Sequence, residues 1–223
     1  MNIFLFTGQY KGLDVSIMST GMGPGCAEIC MVEVLSITQQ PAFIRVGSCG
    51  VLKESIPLGD LIITTGAVRL EDTSTYFVHE GYPAIASYEV VLALIMATQQ
   101  QHIPYHVGIT GSASGFYGAQ ARQVPGLPIR YPNLINELAA MNVLNLEMES
   151  STIFNLANIK NCRASAICFA VNNRITNQFI TPEDQLSSEK KSLLAGFEAL
   201  LLLAKMDQQK TEKKQAYWAP DTI

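Results

Sequence analysis

Short apolar runs rich in β-branched residues, each closed by a glycine-containing turn and followed by an amphipathic stretch, restrict this sequence more than any other feature. That alternation is the pattern of an α/β sandwich. Residues 15–19 read as a strand ending in Thr20-Gly21-Met22-Gly23-Pro24-Gly25, with a helix over 26–38. A second strand over 43–46 is stopped by Gly47-Ser48-Cys49-Gly50, and a longer one, rich in Ile, Val and Thr, covers 60–68. The spacing predicts a helix over 88–101, an extended stretch over 106–110, helices over 133–141 and 150–158, and a buried strand over 164–171. The last element is an amphipathic helix over 182–206, with Leu193, Leu194, Phe197, Leu200, Leu201 and Ala204 as its sheet-facing stripe. Polar residues from 208 on read as a frayed extension or tail, and Tyr217-Trp218 as part of an unordered terminus. With no repeat and no linker, the expectation is one domain over 1–206 and a polar tail over 207–223.

Composition narrows the function classes. Hydrophobic residues at 48% against 15% charged allow a sizeable core, and the mean hydropathy of +0.18 favours a buried sheet or an oligomer interface. The apolar run over 199–204 is far too short to span a bilayer, and no run reaches the 18 or so residues needed. A net charge of −4, with no basic cluster before residue 205, argues against nucleic acid as a partner. Five scattered cysteines and no basic, apolar leader fit reduced thiols and a cytoplasmic protein. Cys26 and Cys30, four apart on a helix with no histidine near, read as two packed thiols rather than a zinc site.

Four segments carry chemistry. Glycine turns after strands bring backbone N–H groups toward anions, although they also serve plain turn geometry. Arg45 stands two residues before Gly47, with Ser48 inside the turn. A guanidinium, a hydroxyl and free amides suit a phosphate, but the residues alone leave equally open that Arg45 pairs with a surface carboxylate. In Gly115-Phe116-Tyr117-Gly118-Ala119-Gln120-Ala121-Arg122, an extended chain points Gln120 and Arg122 the same way. Their donors and acceptor match the polar edge of uracil, with Phe116 to stack on the ring. Taken alone, a polar loop with an aromatic anchor is the simpler account. Glu147-Met148-Glu149-Ser150 puts two carboxylates at a strand-to-helix junction, where acids are favoured by the helix dipole but can also grip vicinal hydroxyls. Val171-Asn172-Asn173-Arg174 ends the next strand with polar groups.

In order and spacing, these segments resemble the uridine phosphorylase branch of the nucleoside phosphorylase family. The likeness rests on Ser19-Thr20-Gly21-Met22-Gly23, Arg45-Val46-Gly47-Ser48-Cys49-Gly50, Gly59-Asp60-Leu61-Ile62-Ile63, Val68-Arg69-Leu70, the 116–122 segment, Glu147-Met148-Glu149-Ser150 and Val171-Asn172-Asn173-Arg174. It implies a three-layer α/β sandwich with a central mixed, partly barrel-like β-sheet flanked by helices, assembled as dimers into a hexamer. The implied activity is reversible phosphorolysis of uridine, or of deoxyuridine or thymidine, in pyrimidine salvage. It needs no metal or organic cofactor, since inorganic phosphate is a co-substrate. By the same resemblance Arg45 and Ser48 hold phosphate, with Ser48 where the family usually has threonine. Gln120 and Arg122 read the base edge, Phe116 packs on the base, and Arg174 supports Arg122. Met148 and Glu149, with Glu147 beside them, hold the ribose. The implied catalytic set is Arg45, Gln120, Arg122 and Glu149.

Two departures qualify the implication. Purine-cleaving relatives carry an aspartate near Asn173, where this sequence has an amide. Family members also have a first strand, a Gly-Asp-Pro-x-Arg phosphate loop, a helix and a further strand, supplying a ribose-contacting histidine and an arginine for the neighbouring subunit. These residues hold no counterpart of them, and His79, His102 and His106 do not match that histidine's motif. The sequence is thus either incomplete or short of half its phosphate site. The competing readings are a catalytically impaired nucleoside-binding homologue or subunit fragment, and a nucleosidase that uses water.

Overall fold

The computed structural model describes residues 3–220. The chain runs through β1 (Leu5–Tyr10), β2 (Leu13–Met18), α1 (Pro24–Ile37), β3 (Ala42–Val51), β4 (Leu61–Leu70), β5 (Ala84–Ile85) and α2 (Tyr88–Gln100). It continues with β6 (Tyr105–Ala113), α3 (Leu134–Ala140), β7 (Val143–Glu147), α4 (Ser150–Ile159), β8 (Arg163–Asn173), β9 (Gln178–Phe179) and α5 (Pro182–Lys213). Strands β5-β4-β6-β7-β3-β8-β9 form one mixed sheet, and an extra β4–β8 pairing closes five of them into a ring. The expected mixed, partly barrel-like α/β sheet is therefore present.

Ring closure buries both faces of the inner strands, which is why they read as continuous apolar runs. Along β4, Leu61 and Ile63 pack outward among the helices, while Ile62 turns inward with Cys49, Cys168 and Ala170. Along β8, Ile167 and Phe169 face out and Cys168 and Ala170 face in. Small residues fill the interior because five strands enclose little space. Gly108 serves the same end, since a Cβ there would stand 2.6 Å from the side chain of Leu144. Outside the ring, α1, α2, α4 and α5 bury the main core around Phe154 and Leu94. Complete burial of one such side chain contributes about 1.5–3 kcal/mol.

Three expectations are corrected. Strand β3 does not stop at Gly47 but runs through to Val51, pairing with β8 along its whole length. Its glycines make room: a Cβ on Gly47 would lie 2.7 Å from the Arg45 guanidinium, and one on Gly50 2.8 Å from Asn172. The face of α5 that meets the sheet is not the leucine stripe. Leu193 and Leu194 are exposed, and the buried row runs through Ser188, Ser192, Ala195, Gly196 and Ala199. Small residues let the helix approach closely, with Gly196 beside Val46.

The C-terminal stretch is also more ordered than its polarity suggests, as α5 continues to Lys213. There Lys210 and Asp207 join Arg163 and the buried Glu89 in one ion-pair network. Trp218 is tied to it, donating its backbone N–H to Glu89 and its indole N–H to Gln209.

Hairpin β1–β2 forms a separate two-stranded sheet. It leans on α5 through Tyr10 stacked against Phe197 and through the Lys11–Glu198 pair. Between β2 and β3 lies a cleft of about 500 Å³, lined by Asp14, Val15 and Ser16 on one side and Phe43 and Ile44 on the other. Among the described residues β3 meets β7 only at Gly50 and Val51, so the earlier part of that edge has no strand beside it.

Candidate active site

The site is built from the ends of β6, β7 and β8 and from the length of β3. At the end of β7 the chain turns into α4 with Glu149 at the N-cap position. The Glu147 carboxylate accepts the N–H groups of Glu149 and Ser150, at 2.9 Å each, and so closes the first turn of α4. Carboxylates are favoured there because the first helical N–H groups lack partners and carry partial positive charge. Arg45 reaches across from β3 and pairs with both Glu147 and Glu149. The remaining oxygen of Glu149 accepts the Gly23 N–H at 2.6 Å, which joins the first glycine turn to the same point.

Arg45 therefore has carboxylate partners, and they are buried rather than on the surface. Its Nη1 also donates to the Cys168 sulfur at 2.7 Å. Burial alone disfavours the cation, but its interactions with Cys168, then with Glu147 and Glu149, outweigh it and raise the Arg45 pKa well above its ordinary range. Burial and the neighbouring Cys168 push the Cys49 thiol well up, so it stays protonated. Ser48 is exposed, and Met148 half-buried beside Gly23.

The other end is built differently. Residues 115–122 are not extended: a single 3₁₀ turn covers Gly118–Gln120, and Ala121 is left-handed at φ 52°. The turn, rather than strand alternation, sets the two side chains. Gln120 is buried, and Arg174 holds it through its main-chain oxygen at 2.8 Å and its side-chain oxygen at 3.5 Å. Arg122 lies over the Phe116 ring at 4.1 Å, a cation–π contact on one face of that ring. Arg122 and Arg174 thus both flank this turn. Burial, then the nearby Arg122 cation, pushes Arg174 down to about 10, and burial also lowers Arg122. Among the described residues neither has a carboxylate within ion-pair distance, and the buried Nε of Arg122 has no hydrogen-bond partner. Two cations held beside a glutamine amide, with no anion of their own, form a receptor for an electron-rich polar edge.

Strand β3 spans both ends. Arg45 marks one and Gly50, which lies under Arg174, marks the other, roughly 16 Å along the strand at about 3.3 Å per residue. The sequence profile of the Phosphorylase superfamily matches residues 2–200. The chain belongs to that superfamily.

Named relatives within the superfamily have several specificities. A uridine phosphorylase of Thermococcus kodakarensis is 42% identical over 218 residues, covering 96% of this chain and 76% of the relative. A uridine phosphorylase of Escherichia coli is 30% identical over 194 residues, covering 86% and 76%. A guanosine phosphorylase of Halorubrum lacusprofundi is 33% identical over 187 residues, covering 83% and 73%. Membership alone therefore does not choose between a pyrimidine and a purine.

Asn173 bears on that choice. It is buried, donates to the Lys53 carbonyl at 3.0 Å, and accepts the N–H groups of Ile175 and Thr176. Its amide oxygen and one of its two N–H donors are thus engaged in the turn that closes β8. Of the other polar groups, His106 pairs with Asp60, and Cys30 donates weakly to the Thr20 carbonyl. No cluster of three or more His, Cys, Asp or Glu among the described residues could hold a metal ion. No described helix is long and apolar enough to cross a membrane. Sequence reading missed Glu71, Ser112 and Ser151, which meet behind the first turn of α4. The only sign of them is the acid two residues after Arg69, on the same side of the strand by alternation.

Proposed function

We propose that the chain catalyses phosphorolysis of uridine to uracil and ribose 1-phosphate. The observation that supports it most is the pair of anion-free arginines around Gln120. As phosphate attacks the anomeric carbon, the ribose takes on cationic character and the departing base gathers negative charge. Arg122 and the Gln120 amide meet that charge as it develops, and interactions that strengthen in the transition state are those that speed the reaction. Arg174 orients Gln120, and Phe116 covers the base with the ring face that Arg122 leaves open. Glu149 and Met148 take the ribose hydroxyls, while Glu147 holds Glu149 in place through the α4 turn. Arg45, with Ser48, receives phosphate by giving up part of its hold on Glu149. Asn173 favours pyrimidine over purine, because an amide can donate a hydrogen bond but is not an acid that could protonate a purine leaving group.

The finer expectations are part of the same proposal. Exposed Phe4, Phe6, Ile29 and Val32 support assembly with further copies, with the hexamer as the expected form and the cytoplasm as its place.

The deciding experiment measures uracil release from uridine with and without phosphate, beside guanosine and adenosine. Phosphate-dependent release from uridine alone is expected. Release that ignores phosphate would make the protein a nucleosidase, and tight uridine binding without release would make it a binding homologue.

A further inference from the structure

We infer that Glu71 is a positioning residue for the sugar end, holding the first turn of α4 so that Glu149 faces the ribose; this rests on the sugar-binding reading of Glu149. Glu71 follows the end of β4 and is 7% exposed, yet among the described residues it pairs with no lysine, arginine or histidine. Instead it accepts the Ser74 N–H at 2.9 Å, the Ser74 hydroxyl at 2.6 Å and the Ser151 hydroxyl at 2.8 Å. Ser151 is the second residue of α4, two beyond Glu149. Its own N–H goes to the Ser112 hydroxyl at 3.1 Å. The first turn of α4 is therefore gripped from two sides: Glu147 and Ser112 take its N–H groups, and Glu71 takes a side chain.

A buried carboxylate with three donors and no cation does not need to be acidic for packing alone, since a neutral polar group would cost less to bury. Its use is geometric. An acceptor-only group can take donors from two segments at once, where an amide would present an N–H to one of them. Arg69 adds a second fastening, donating to the Ser74 hydroxyl at 3.0 Å and to three carbonyls over 79–82. The loop after β4 and the helix that carries Glu149 at its start therefore share one anchor.

The test measures dissociation constants of uridine and 2′,3′-dideoxyuridine for the wild type, Glu149→Gln, Glu71→Gln, Ser151→Ala and the Glu71→Gln/Glu149→Gln double variant. If Glu71 acts through Glu149, Glu71→Gln weakens uridine about tenfold and dideoxyuridine less than about twofold, and adds little once Glu149 is changed. Equal losses for the two ligands in Glu71→Gln, or full additivity in the double variant, overturn the positioning role while a selective loss in Glu149→Gln leaves the sugar reading standing. Equal losses in Glu149→Gln overturn both. Should Glu71→Gln fail to fold, Ser151→Ala carries the same expectation in reduced size, and an unselective loss there overturns the role as well.

Discussion

At the proposed sugar end one arginine meets two carboxylates, and at the proposed base end, among the described residues, two arginines meet none. Arg45 sits between Glu147 and Glu149 with its charge held, whereas Arg122 and Arg174 repel each other beside Gln120. The first arrangement is complete without a ligand, so it stabilises the fold, and under the proposed function it has to open in part before phosphate enters. The second is incomplete, so it weakens the fold, and under the same proposal it gains most when a polar ring arrives. The proposed site would thus divide its work between rigidity at one end and unmet attraction at the other.

The largest effect expected from this contrast is on stability. Arg45→Met leaves two buried carboxylates with only N–H partners, and loss of one partner of a buried pair costs about 3–5 kcal/mol. Urea unfolding measures it, and a loss under about 1 kcal/mol would break the contrast. Arg122→Ala should act on the reaction instead. The kcat/KM for uridine is expected to fall by about 1.5–3 kcal/mol, the worth of a hydrogen bond to a charged group, while stability holds or rises. A comparable loss of stability would mean that Arg122 belongs to the scaffold.

The smallest effect lies away from both ends, in the Glu89–Arg163–Asp207–Lys210 network. Burial alone would raise Glu89, but Lys210, the Trp218 N–H and Arg163 outweigh it and lower its pKa. Asp207 is likewise lowered against burial by Arg163 and Lys210. Carboxylates depressed on folding add stability that is present above their ordinary values of 4.5 and 3.8 and lost as pH falls through the lower folded values. The fluorescence of Trp218, the single tryptophan, should therefore change on acidification below about pH 4.5, and Glu89→Gln should flatten that change. If uridine binding follows the same acid curve, the network is coupled to the site and the division is less clean.

The sequence made the alternation of strands and helices legible, because strands buried on both faces leave unbroken apolar runs. It also singled out Arg45, Glu147, Glu149, Gln120, Arg122 and Arg174, which the fold gathers at the two ends. The relations between them were not legible. Gly47 and Gly50 looked like a turn, but their lack of side chains serves Arg45 and Arg174, and no local pattern reports a neighbour that distant. The large residues of α5 drew the eye to the wrong stripe, since close packing against Val46 selects small ones. The helix beyond residue 206 is held by Glu89 and Arg163, which lie far away in sequence. Glu71 stayed hidden because its partners come from segments 3 and 80 positions on.

The cleft between β2 and β3 sets how different parts of the backbone open to solvent. Inside the ring, every strand except β3 over 42–49 is hydrogen-bonded on both sides, and its amides can meet deuterium only when large parts of the molecule open together. In the hairpin, β2 is bonded to β1 alone, and its hold on the body is a tyrosine stacked on Phe197 and a lysine paired with Glu198. Its outward amides should exchange early, and the facing edge of β3 over 42–49 earlier than the edge bonded to β8. Amide exchange would thus draw a boundary along β3, with a slow edge toward the barrel and a fast edge toward the cleft.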